Sequence, residues 1–479
     1  MRQLALFILF IIVATTATAQ PKHEVRAAWI TTLYGLDWPD TKALSLESIR
    51  RQQGELVEIL DKLKAANINT ILFQTRGRGD VFYSSKMEPY SAMLTGKSGR
   101  SPGYDPLSFV IEECHKRGME CHAWIVTIPL GGKKQVKALG AQSVVKRHPK
   151  LCVSYKQDYY LNPAHPETKN YLMSLVREIV EGYDVDGVHF DYLRYPEKAA
   201  RFPDGCPYRK YAESEKAATW RRNNITAIMR HLYQGVKALK PWVKVSTAPV
   251  GKLRDTTLRS SYGWNAVHAV RQDVAVWLSE GIQDQIYPML YFREDDFYPF
   301  ALDWLEVSNG RHVIPGLGIY FLDPKEGDWK TEEVERQVHF LRRSQASGEG
   351  YYRARFLTDN TQGIHDLLQE KLYPTPALVP SMPWLDNIPP TPPANLQAVR
   401  EADDCWQLNW QAATDNDPHN APMYNVYGSG HLPVDTDNPG NILATNLRDT
   451  TFLYVPLFPW KACRHFVVKA VDRYGNESR

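Results

Sequence analysis

Val185-Asp186-Gly187-Val188-His189-Phe190-Asp191-Tyr192-Leu193-Arg194-Tyr195-Pro196 is the stretch whose reading decides the fold. Apolar Val188, Phe190 and Tyr192 alternate with Gly187, His189 and Asp191, and side chains along a strand point alternately to its two faces. One face is apolar, and the other ends in a carboxylate. Pro196 cannot continue a central ladder, so the strand closes near 191–193 and opens into a loop. Asp191 therefore stands at a strand's carboxyl end. Helical patterns at 166–181 and 216–239 flank it, which reads as parallel strands alternating with helices. In a (β/α)8 barrel the chemistry sits at the carboxyl ends of the strands, so Asp191 is the first catalytic candidate.

Working outward, apolar runs rich in strand formers fall at 25–33, 68–75, 119–126, 243–248, 286–291, 313–319 and 350–356. Between them, apolar spacing of helical period marks 46–66, 105–118, 264–279, 299–308, 332–344 and 364–372. Asp105 followed by Pro106 is an N-cap and first-turn pair. The segment 129–158 reads as an irregular insertion. The fold class is α/β, a (β/α)8 TIM barrel over 24–372, and a doubly wound open sheet is the competitor. Residues 373–393 hold eight prolines in 21 positions, which stiffens the chain toward polyproline geometry and marks a linker. Beyond it the period changes to two. Short strands at 395–399, 406–410, 424–427, 451–455 and 466–471 build a small all-β sandwich over 394–479. Those near Trp410 and 466–476 resemble a fibronectin type III module, in which one more edge strand is expected.

Residues 1–19 read as a signal peptide, with Arg2 at the positive end, an apolar run from Leu4 to Ala14 and a cleavage site at Ala17-Thr18-Ala19. The expectation is an exported protein, periplasmic or extracellular, with no transmembrane segment in the mature chain. A net charge of +3, from 57 basic and 54 acidic residues, provides no footprint for nucleic acid. The 26 Tyr and 13 Trp fill a large core, and some are suited to stack against sugar rings. The six cysteines show no paired spacing of a zinc site, and no HExxH is present. No metal and no cofactor is expected.

Six blocks in order carry a family resemblance: Val25-Arg26-Ala27-Ala28-Trp29-Ile30, Phe73 to Asp80, Asp105-Pro106-Leu107, Asn162-Pro163, Asp186 to Pro196 and Pro288-Met289-Leu290-Tyr291. Together they resemble the glycosyl-hydrolase-like family 10 over roughly 24–372. The resemblance implies a TIM-barrel glycosidase of exported bacterial proteins, with members linked to the glycan strands of the cell wall. The central stretch is also similar to the Asp-rich strand of family 18 chitinases. There a Glu two residues past the last Asp is the acid, and Leu193 stands at that position here.

Glycoside hydrolysis usually needs two carboxyl groups. Asp191 supplies one, as acid/base or nucleophile, unless it merely caps its strand or pairs with Arg194. His189, one step deeper on the same face, either orients Asp191 or is a buried structural histidine. For the second carboxylate the sequence leaves Asp80, Asp273, Asp284, Asp295 and Asp296 open, with Asp295 and Asp80 ranked first by their place after strands. Arg76, Arg78, His122, Trp124, Asn162, Arg194 and Tyr291 are the candidate substrate binders, each with a structural alternative. The expected partner is a polysaccharide, an amino-sugar polymer such as peptide-free peptidoglycan glycan. The alternatives are another exported or dietary polysaccharide, or a carbohydrate-binding barrel without catalysis.

Overall fold

The computed structural model describes residues 20–260, 264–401, 405–417, 421–456 and 462–479. The leader expected over 1–19 lies outside the described residues. Eight parallel strands close a ring: β1 (Val25–Ile30), β2 (Thr70–Arg76), β3 (Glu120–Val126), β4 (Gly187–Asp191), β5 (Lys244–Ala248), β6 (Gln285–Ile286), β7 (His312–Val313 continued by Gly316–Leu317) and β8 (Gly348–Tyr351). They pair in sequence order, and β8 returns to β1 with Val25 opposite Gly348. β7 is broken at Ile314-Pro315, because proline has no amide to donate. Its first half pairs with β6 and its second with β8, which closes the barrel.

The strands of a closed barrel are buried on both faces, and every residue of β1, β2, β4 and β5 is buried. Val188 and Phe190 of β4 face outward and join the core beneath the helices. Trp29, Leu72, Trp124, Val126, Tyr287 and Ile314 fill the inside. Gly187 faces inward at the closest approach, where an added Cβ would lie 2.6 Å from His122 Nδ1. The outer layer begins with α1 (Leu46–Ala65), α2 (Pro106–Lys116), α3 (Thr168–Gly182) and α4 (Ala217–Leu239). The cap expected of Asp105 is present: its carboxylate accepts the amides of Leu107 and Ser108, each at 3.1 Å.

Four local expectations are corrected. The insertion after β3 is an ordered antiparallel sheet of Pro129–Gly132, Cys152–Tyr155 and Asp158–Leu161. Its strands are too short to announce themselves and are fixed by pairing across some 30 residues of chain. The helix expected over 264–279 is two short pieces, Ala266–Ala269 and Val274–Ser279, separated at Arg271, which takes a left-handed φ of 63°. The strand expected over 350–356 stops at Tyr351, and Ala354–Thr358 is helical. Asp37 Oδ1 accepts the Arg355 amide at 3.0 Å and Arg353 Nη1 at 2.6 Å, and so captures that helix start. Finally, Ile442–Leu447 is a strand that its polar composition concealed.

The C-terminal module comprises β9 (Ala394–Arg400), β10 (Trp406–Gln411), β11 (Met423–Ser429), β12 (Ile442–Leu447), β13 (Thr451–Tyr454) and β14 (His465–Val471). They form two three-stranded sheets, β9-β10-β13 and β12-β11-β14, closed over Leu408, Trp410, Tyr424, Val426 and Ala470. Beyond β14, Glu477 makes an antiparallel bridge to Val471. The module rests on the amino-terminal end of the barrel. Arg448 and Arg473 pair with Asp184, just before β4, at 2.7 and 2.9 Å. The proline-rich segment docks along that end: the amide of Leu378 donates to Lys22 O at 2.8 Å, and Tyr373 and Met382 are fully buried.

Candidate active site

Asp191 ends β4 at the carboxyl mouth of the barrel and is only 5% exposed. Trp124, on the neighbouring β3, donates its Nε1–H to Asp191 Oδ2 at 3.2 Å. The backbone amide of Tyr192 donates to Oδ1 at 2.7 Å. Tyr192 takes a left-handed φ of 52°, a conformation a bulky side chain adopts only under constraint and one that clusters at working sites. Burial pushes the Asp191 carboxyl up to about 6, against the opposing pull of Arg194, the Tyr192 amide, Trp124 and Arg78. At mildly acidic pH this carboxyl carries a proton it can give away.

Aromatic rings surround it. Tyr291 stacks on Tyr352 with centroids 5.4 Å apart and meets Tyr320 edge-on at 5.7 Å. Both Tyr291 and Tyr352 feel the charge of Asp191, and burial chiefly holds their hydroxyls protonated. Beside them opens a cleft of about 390 Å³, walled by Tyr155, Tyr160, Tyr192 and Trp264 and carrying Arg78 and Arg194. Flat rings with polar tips fit the faces and edges of sugars. A groove of about 460 Å³ at the opposite end, between α2 and the C-terminal module, is built differently. Its Asp184 is held low: burial would raise the carboxyl, but ion pairs with Arg473 and Arg448 override it.

The structure brings together Asp191, Trp124, Arg78, Arg194 and Tyr291 from the candidates named by sequence. The others are engaged in contacts of their own. His189 lies a layer deeper, where Trp29 Nε1 donates to its Nε2 at 3.3 Å and its Nδ1 faces Ser246 Oγ at 2.9 Å. Both ring nitrogens are occupied, so it makes no hydrogen bond to Asp191. Burial, aided by His122, holds its pKa well below the usual value, and it stays neutral. His122 is fully buried against Glu120 at the barrel's other end. Arg76 is buried in a two-pronged pair with Glu88 at 2.7 and 2.8 Å. Asn162 spends its side-chain oxygen on the Ala164 amide at 3.1 Å. Asp80 accepts the Arg78 amide at 3.1 Å and shapes its own loop. Asp295 is 81% exposed and paired with Arg259 at 2.6 Å on the surface.

Tyr352, Trp264 and the insertion's Tyr155, Lys156, Asp158 and Tyr160 were missed. The density of tyrosines at 155–160 was the available signal. Among the described residues, no group of three or more His, Cys, Asp or Glu converges to hold a metal ion.

Trp124→Phe removes the one side-chain donor to Asp191 among the described residues. That bond favours the charged carboxylate, so its loss raises the carboxyl pKa. The expected result is a fall in kcat of about tenfold from lost orientation, with the alkaline limb of the pH profile moved upward. Initial rates between pH 4 and 8 check both.

A (β/α)8 barrel that holds an acidic carboxyl among sugar-sized aromatic faces at its strand ends defines a class, the glycoside hydrolases. The chain belongs to the glycosyl hydrolase-like 10 family, whose profile matches residues 24–321. It is 32% identical over 489 residues to the glycosyl hydrolase YngK of Bacillus subtilis (strain 168), covering 97% of this chain and 93% of the relative. It is 33% identical over 353 residues to the glycosyl hydrolase DigH of Escherichia coli (strain K12), covering 67% of this chain and 80% of that protein. The glycoside hydrolase domain of PgaB (BpsB) from Bordetella bronchiseptica shares the fold, with a TM-score of 0.50 at 14% identity, over 73% of this chain and 98% of that one. Among the described residues no helix is long and apolar enough to cross a membrane.

Proposed function

We propose that this glycoside hydrolase is exported and cleaves an amino-sugar polymer, such as the glycan strands of peptidoglycan stripped of peptides, with Asp191 as the general acid. The observation that carries the assignment is the Asp191 carboxyl, raised by burial to about 6 at the carboxyl end of β4, where its chain neighbours Tyr192 and Arg194 line an aromatic cleft. A proton donor for a leaving glycosidic oxygen needs such a value. The groups that act most strongly on Asp191 are cations and hydrogen-bond donors. An N-acetyl group at the sugar's second carbon then serves as internal nucleophile, as in substrate-assisted glycosidases. That is the support for an amino sugar: it brings the second reacting group with it.

Product analysis by mass spectrometry tests this, with peptide-free peptidoglycan glycan, chitin oligomers and a panel of neutral polysaccharides at pH 5 to 6. Release of oligosaccharides from the first two supports the reading. Proton NMR of the first products is then expected to show retained anomeric configuration. Cleavage confined to the neutral panel moves the enzyme to another polysaccharide. Export is checked by the amino terminus of the protein recovered outside the cytoplasm, expected after Ala19.

A further inference from the structure

We propose that Arg194 and Arg78 form a subsite beside Asp191 for the carboxylate of an acidic sugar, so that the enzyme prefers a glycan bearing a carboxylate next to the bond it breaks. The proposal rests on reading this cleft as the glycosidase site. Four arginines among the described residues are buried: Arg26, Arg76, Arg194 and Arg221. Arg26 pairs with Glu24 at 2.9 Å, Arg76 with Glu88 at 2.7 Å and Arg221 with Asp204 at 2.6 Å. Arg194 has no such partner among the described residues. It is 8% exposed, and its buried Nε makes no hydrogen bond.

Its guanidinium is held instead by rings, 4.5 Å over Tyr192 and 5.6 Å over Trp264. A buried N–H left unmatched costs about 1–3 kcal/mol, and native proteins keep few of them. Arg194 itself lines the aromatic cleft, beside Tyr192 and Trp264. Arg78, half-buried on the same wall, also makes no side-chain hydrogen bond or ion pair among the described residues, and its charge reaches both Asp191 and Tyr160. Among the described residues no carboxylate lies within ion-pair distance of either arginine, although Asp191 feels the charge of both. Asp158 is turned to the Tyr160 hydroxyl, and Glu197 is exposed at the rim.

A planar guanidinium fork matches a carboxylate in two-point hydrogen bonding. The neighbouring Tyr155, Tyr160 and Trp264 rings fit sugar faces, so the anion is one carried on a sugar. Binding it has a second effect. Arg194 and Arg78 pull the Asp191 carboxyl down, and a bound carboxylate offsets their charge. The acid therefore keeps its proton to higher pH in the complex than in the free enzyme.

The carboxylate can come from a lactyl ether on an amino sugar or from a uronic acid. The test compares kcat/KM of the full-length protein on peptide-free peptidoglycan strands, the same strands with carboxyls reduced to alcohols, and hyaluronan oligosaccharides. The wild type is expected to prefer the lactyl strands over the reduced ones by about 10- to 100-fold. In Arg194→Gln that ratio falls toward one, Arg194→Lys keeps part of it, and Arg78→Gln reduces it independently. On acidic strands alone, the alkaline limb of kcat is expected above that of kcat/KM.

Preference for hyaluronan instead assigns the subsite to a uronic acid. A wild-type ratio near one, or a ratio unchanged in Arg194→Gln, overturns the proposal and leaves Arg194 as a positioning residue for Asp191. If no substrate is cleaved, calorimetry with Asp191→Asn separates the two readings. Tighter binding of acidic over reduced strands, lost when Arg194→Gln is added, keeps the subsite although the cleavage reading fails; equal binding overturns the subsite.

Discussion

Asp191→Asn is expected to lower kcat/KM by about 10²- to 10⁴-fold at pH 5 to 6, and to make the protein more stable at pH 8. Both effects have one cause. The Asp191 carboxyl sits near 6 in the folded protein, against an ordinary value of 3.8, because burial disfavours its charge. The folded state thus binds this proton more tightly than the unfolded chain does. Well below pH 3.8 both states hold it, and this site imposes no penalty. As pH rises toward 6 the unfolded chain releases the proton first, and stability falls. By pH 8 the buried carboxylate costs about 3 kcal/mol. Asparagine keeps the shape and removes that cost.

Denaturant unfolding at pH 3 and pH 8 checks the prediction. The variant is expected to gain at pH 8 and to match wild type at pH 3. The wild-type kcat/KM is expected to fall as pH climbs through 6, because the acid loses its proton. Undiminished cleavage by the variant would assign the acid to another group. Equal stability at pH 8 would show that the carboxyl is not shifted.

The second large effect is expected at Arg76, for which the sequence leaves a substrate-binding and a structural role open and the buried pairing favours the second. Its guanidinium is 1% exposed and its partner Glu88 0%. Arg76 Nη1 also donates to Thr127 O at 3.0 Å, and the Tyr171 hydroxyl donates to Glu88 at 2.8 Å. Arg76→Leu leaves the Glu88 carboxylate buried without its cation, a loss of about 3–5 kcal/mol. Replacing both partners with leucine recovers much of it, because no charge is then stranded. A substrate-binding arginine gives the reverse pattern, a raised KM with an unchanged melting temperature. Thermal melts of the single and double variants, with KM measured well below the melting range, decide between the roles.

The contrast between Arg76 and Arg78 shows how far a sequence carries a site. The two are neighbours in one motif and equally basic. Arg76 is the last residue of β2 and points where Glu88 and Tyr171 converge, whereas Arg78 lies in the loop beyond and reaches the cleft. Nothing in the spacing distinguishes them, because Glu88 is brought in by the fold of the following loop. His189 and Asp191 are alike in this respect: the alternation puts them on one face, but Trp29 and Ser246, from β1 and β5, claim the histidine. Asp295 follows a strand as a catalytic carboxylate would, yet the chain turns it outward to Arg259.

What the sequence determined by itself was local and periodic. Alternating Val188 and Phe190 defined the outer face of β4, Asp105-Pro106 set the start of α2, and the succession of strands and helices implied the barrel with Asp191 at its mouth. These follow from backbone geometry and side-chain period, which need no distant partner. The tertiary structure decided whatever depends on residues far apart in the chain. It closed the ring between Val25 and Gly348, ordered the insertion through Pro129 and Tyr160, and turned the aromatic wall of Tyr155, Tyr160 and Trp264 toward Arg194. It also buried Asp191 deeply enough to raise its carboxyl. Charge and desolvation at a site are sums over neighbours in space, and only the folded chain fixes which neighbours those are.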